Sequence, residues 1–182
     1  MKRRWWKYLL TGLAFGIADW FFLQGLGSLT GNFSDRDIHF ILQLAIIALI
    51  ITANWGIWLV PAIPAAIYEE RQSQSLWRAG LACVIVWSAA IFSYYAFYTY
   101  LLLFDGVIHL EFMRYSNRES PTYWEDFMPP FRRLIIRQVL EWIGVAIVGG
   151  VVVGVVSALL YRRFQQRSLK KTRTTEEQHT TP

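Results

Sequence analysis

The sequence predicts an all-α integral membrane protein: four transmembrane helices in an antiparallel bundle, with both chain ends on the cytoplasmic face. Three observations predict it. Of the 182 residues, 54% are hydrophobic and only 17% charged, and the charges fall in blocks between long uncharged runs. Four of those runs reach the roughly 20 residues needed to cross a hydrocarbon core about 30 Å thick. The runs are too long and uniform for barrel strands, and a backbone in lipid must satisfy its own hydrogen bonds, so each reads as a helix.

Span one, Tyr8 to Leu29, follows the basic start Met1-Lys2-Arg3-Arg4-Trp5-Trp6-Lys7. It contains Asp19 and Gln24 and ends without a small-x-small cleavage site, which predicts a retained span and not a removed signal. Thr30 to Asp37 is a short turn; its Asn32-Phe33-Ser34 is a formal glycosylation sequon too close to the membrane surface to use. Span two, Ile38 to Val60, runs into Pro61 and Pro64. The prolines deny the carbonyls of Ile57 and Val60 their helical donors, so the helix is expected to end or bend there, at the cytoplasmic headgroups. Glu69-Glu70-Arg71 then reads as a solvated loop.

Span three, Ala79 to Phe104, carries the sole cysteine, Cys83, as a small packing residue. No disulfide framework or cysteine-based zinc site follows from one thiol. The segment from Asp105 to Arg133 is the largest polar piece and is expected to lie on the outer interface or cap the bundle, with Val107, Ile108, Phe112, Met113, Trp124 and Phe127 dipping into the lipid boundary. Ser120-Pro121 predicts a short helix from Pro121 to Met128, which Pro129-Pro130 should stop. Span four, Gln138 to Leu160, precedes a basic, threonine-rich tail, Arg162 to Pro182. One or two helical turns on the inner leaflet and then disorder are expected there.

Orientation comes from Lys and Arg. Four precede span one, two (Arg71, Arg78) lie between spans two and three, and six follow span four; the six in the opposite loops are diluted by acids. The positive-inside rule therefore puts both termini in the cytoplasm, in a cell membrane. The net charge of +5 sits mainly on that face. Lys2, Arg3, Arg4, Lys7, Arg162, Arg163, Arg167, Lys170 and Lys171 flank spans and suit anionic lipid headgroups, so the bilayer and not a nucleic acid is the expected partner.

Two patterns inside the spans carry what function the sequence suggests. Ala146, Gly150, Gly154 and Ala158 repeat every four residues in span four, and Gly12 and Gly16 do so in span one. Small residues at this spacing form grooves in which another helix packs closely, and spans one and four are expected to use them on each other. Asp19 lies about 16 Å into span one, near the midplane. Counting depth along the other helices brings Asn54, Ser88 and Ser93 to the same level and Gln24 further out, predicting one polar layer.

A carboxylate at that depth costs a few kcal/mol or more unless it is paired, neutralised or wetted. No metalloprotease, serine-elbow or phosphate-loop motif and no pair of intramembrane aspartates occurs, so no catalytic residue is assigned and enzyme activity is not expected. No cofactor is implied, and the single histidine pairing of Asp105 with His109 falls short of a metal site. The expected role is an accessory or assembly protein contacting other membrane proteins or a second copy; the alternative is an oligomeric ion or small-solute carrier centred on Asp19. No motif names a family.

Overall fold

Helix α3 (Leu76–Phe104) is the pillar of the fold because its small residues point in several directions at once. Ala79, Ala82, Cys83, Ala89 and Ala90 are all buried, which lets three other helices approach its backbone. The computed structural model describes residues 2–31, 44, 47–48, 56–106 and 113–179, with side chains described at 5–25, 44, 47–48, 56–106 and 113–167. All regular structure among the described residues is helical.

Helix α1 (Lys2–Gly31), helix α2 (Leu59–Ser73) and helix α5 (Arg137–His179) each pack on α3. In α1, Gly12 meets the Val86 carbonyl and Ala89, and Gly16 meets the Ala90 carbonyl and Ser93. Numbers rise together on both helices, so α1 and α3 run parallel. In α5, a methyl on Gly150 would lie 3.0 Å from the Cα of Val84, and one on Gly154 2.6 Å from the Cα of Gly80. Numbers there run in opposite senses, so α5 is antiparallel to α3. The expected pairing of spans one and four is thus overturned: both grooves are filled, but by α3. Spacing specifies that a backbone will come close, not which one.

Span two departs most from expectation. Ile57 and Trp58 form a turn, and α2 then runs on for 15 residues to Ser73. Pro61 removes the donor that would bond the Ile57 carbonyl, and the Val60 amide takes that carbonyl instead, at 3.0 Å. Pro61 itself sits in the first turn of α2, where amides lack partners anyway. The break packs into the protein core. Trp58 stacks on Trp87 at 6.5 Å and touches Phe15 at 6.2 Å, and Trp87 lies near the middle of α3. Below the break, Ala62 and Ala66 pack with Ala79, Cys83 and Ala158, and the Cys83 thiol donates to the Ala62 carbonyl at 3.0 Å. Span two above residue 56 lies almost wholly outside the described residues.

At the other end of α3, Gly106 at φ +71° returns its amide to the Leu101 carbonyl, and Arg114 donates to the carbonyls of Phe104 and Asp105. Helix α4 (Tyr123–Phe131) covers this end. Met113, Tyr123 and Phe127 turn inward as a small core, so Met113 and Phe127 do not face lipid as expected, whereas Trp124 is exposed. Val107, Ile108 and Phe112 lie outside the described residues. Pro129-Pro130 do not stop the helix. Arg132–Ile136 widens into a π-turn, whose longer hydrogen bonds accommodate the missing proline donors, and the chain continues into α5. The tail likewise stays helical to His179, since no glycine or proline interrupts it before Pro182.

Two helices among the described residues are long and apolar enough to cross a membrane: Leu76–Phe104, mean hydropathy 1.7, and the continuous Tyr123–Arg167, mean hydropathy 2.6. Only 22% of the apolar window of the second is buried within the protein. Leu140, Val148, Val152 and Phe164 stand on its open side. Helix α1 has the length, but a basic first turn and Asp19 and Gln24 within it lower its apolarity.

Candidate functional site

The buried face of α1 is a single stripe: Tyr8, Gly12, Gly16 and Asp19, at helical spacings of four, four and three. The two glycines press α1 against α3, and the same face carries Asp19 into the interface just beyond the middle of α3. Asp19 is 1% exposed. Neither of its carboxyl oxygens has a hydrogen-bond partner among the described residues. Buried polar groups are nearly always paired, so this carboxyl requires an explanation.

Of the expected polar layer, Ser93 lies on the face of α3 that meets α1. It is buried beside Gly16, and its hydroxyl donates to the Ala90 carbonyl at 3.1 Å, leaving its lone pairs free to accept. Asn54 lies outside the described residues. Ser88 is half-buried on the side of α3 away from α1, and Gln24 is exposed, so neither joins Asp19. Depth counting does not supply facing, which the 100° turn per residue decides. One turn below Asp19 lie Phe15, the break at Ile57–Trp58, and Trp87, whose buried indole Nε1–H also lacks a partner among the described residues.

The end of the protein where α2 finishes and α1 begins holds a second polar cluster that sequence reasoning assigned to a solvated loop. Glu69 and Glu70, each 3% exposed, are buried because α2 continues through them. One residue apart, they face different helices. The Tyr8 hydroxyl of α1 donates to Glu69 Oε2 at 2.6 Å. Arg162 of α5 donates from Nε to Glu70 Oε1 at 2.5 Å and from a terminal nitrogen to the Gln74 carbonyl at 2.6 Å. Gln74, at φ +50°, ends α2 in the left-handed conformation, and its amide returns to the Glu70 carbonyl at 2.8 Å. Arg71 adds a bond to the Tyr161 hydroxyl at 2.8 Å.

Arg162 is therefore a structural clamp through its Nε and one terminal nitrogen, and its other terminal nitrogen is not used in these bonds. Lys7, Arg163 and Arg167 are exposed, while Lys2, Arg3, Arg4, Lys170 and Lys171 lie where no side chains are described. In the small-residue stripe, Ala146 and Ala158 are fully buried, with Gly150 and Gly154 between them. Among the described residues, no three His, Cys, Asp or Glu side chains gather as a metal site; His109 and Glu111 are outside that set. Set against protein-family models, curated proteins and solved structures, the chain matches none.

Proposed function

We propose that this is a multi-pass integral membrane protein, both ends cytoplasmic, in which Asp19 binds and releases a proton or small cation as the centre of an oligomeric carrier. The observation that carries the reading is the Asp19 carboxyl, fully buried in a helix interface with neither oxygen paired among the described residues. A charge at this depth marks a pathway or relay by default. The break in span two strengthens it. Discontinuous helices near the midplane are a recurring way to present polar backbone to a carried ion, and Pro64 offers no amide to the Val60 carbonyl. The outward apolar stripe of α5 suits lipid or a second copy, which would supply the helices that four spans lack.

Water access tests this. In a Cys83→Ser background, which keeps a donor for the Ala62 carbonyl, Asp19→Cys is exposed to a membrane-impermeant thiol reagent on either face. Labelling from at least one side is expected. Complete protection from both sides refutes the carrier.

The second reading is an accessory or assembly protein. The small-residue groove of α5 does not favour it, because α3 occupies that groove. What favours it is the outer cap, where exposed Trp124 and Tyr115 share the Arg118 guanidinium at 5.5 and 5.3 Å, an aromatic surface suited to another protein.

A further inference from the structure

Between the end of α2 and the inner part of α5 lies an open cleft of about 520 Å³, lined by Glu70, Arg71, Gln74, Tyr161, Arg162 and Gln165. Its walls are rich in donors. Arg71 spends its Nε on Tyr161, and Gln165 also donates to that hydroxyl, at 2.9 Å. Arg162 spends its Nε and one terminal nitrogen within the protein. Both arginines line the cleft, and their remaining guanidinium N–H groups make no hydrogen bond among the described residues. The single acid, Glu70, already neutralises Arg162 and holds it in place. One net positive charge and several convergent donors remain. Next to the lining residues Tyr161 and Gln165 on α5, Leu160 and Phe164 are 48% and 67% exposed one turn apart. Polar donors rimmed by exposed apolar side chains, at the end of an apolar bundle, match a ligand that joins a phosphate to an acyl chain.

We propose that this cleft is a specific site for the phosphate of an anionic membrane phospholipid, with Arg71 and Arg162 as its cationic contacts and Gln165 as a neutral donor. Guanidinium forks suit phosphate oxygens geometrically as well as electrostatically. The proposal rests on the membrane placement of the protein but not on Asp19, so its failure leaves the carrier reading standing.

The test uses the full chain in neutral detergent, titrated separately with phosphatidylglycerol in mixed micelles, with phosphatidylcholine in the same micelles, and with inorganic phosphate, while thermal unfolding is followed. Phosphatidylglycerol alone should raise the unfolding temperature saturably. Arg71→Gln, an exposed position, should weaken that response about fivefold, the effect of one cation at a lipid surface. Arg163→Gln with Arg167→Gln, outside the cleft, should weaken it less. An equal response to phosphatidylcholine would overturn the charge assignment, and one to inorganic phosphate the lipid source. Equal losses in the two variants, or no loss with Arg71→Gln, would reduce the cleft to diffuse surface charge and overturn the site.

Discussion

Glu70 and Arg162, 92 residues apart, form an ion pair at 2.5 Å in which the carboxylate is 3% exposed and the guanidinium side chain 39%. The pair fastens the end of α2 to α5, while the adjacent Glu69 fastens α2 to α1 through Tyr8. Two consecutive acids thus set the relative positions of three helices at one end of the bundle. The geometry follows from helical rotation, which turns neighbouring side chains about 100° apart.

Breaking the pair from the arginine side strands a buried carboxylate. Arg162→Gln should cost about 2 kcal/mol, less than a fully buried pair because the guanidinium is partly exposed. Glu70→Gln combined with Arg162→Gln should cost less than the sum of the two single changes. Equilibrium unfolding of the four proteins in mixed micelles measures the coupling, and strict additivity would contradict the clamp.

Tyr8→Phe removes one oxygen and leaves Glu69 without its hydroxyl donor. The expected loss is about 1 to 3 kcal/mol, the range for a buried acceptor deprived of its partner. Tyr68→Phe, an exposed ring on the same side, should change stability by less than about 0.5 kcal/mol. Similar values for the two would show that the Tyr8–Glu69 bond contributes little.

Much of this was legible in the residues. The all-helical class follows from apolar length, and the close-packed small-residue stripes from four-residue spacing. The grooves' true partner was not, because Gly12 and Gly154 declare close approach without naming the backbone that approaches. Glu69 and Glu70 were misread because the prolines seemed to end span two before reaching them. Yet a signal existed: Tyr8 at the start of span one and Arg162 at the end of span four lie at the same depth as that acid pair. Depth counting applied to them, as to Asp19, would have brought the four together. The break at Ile57–Trp58 was itself legible, since a proline disturbs the residue four positions before it; the continuation of α2 to Ser73 was not.

Glycines in α5 should respond with opposite signs. Gly154→Ala drives a methyl to 2.6 Å from the Cα of Gly80 and 2.7 Å from the Ala79 carbonyl, so the helices must separate, at about 1 to 3 kcal/mol. Gly144→Ala meets nothing within 4 Å and should gain about 0.5 to 1 kcal/mol from restricting the unfolded chain. Unfolding of both variants under one condition tests the sign. A stabilised Gly154→Ala would mean that α5 does not lie on α3 as described.

Asp19 offers the sharpest contrast between a structural and a functional carboxyl. If hydrogen bonds made this residue a strut, replacing it with an apolar side chain of similar size would strand its partners and destabilise the bundle by several kcal/mol. Among the described residues it has no such partners. Asp19→Leu should therefore stabilise the protein, by about 1 to 3 kcal/mol, because a costly buried polar group is replaced by one that belongs in the interface. The same substitution should abolish proton or cation uptake into vesicles containing the purified protein, as should Asp19→Asn, which keeps shape and loses the ionisable group. Gain of stability with loss of uptake is the signature of a site held at the expense of the fold. A destabilised Asp19→Leu would identify the carboxyl as a strut, and uptake that survives Asp19→Asn would remove it from the transport path.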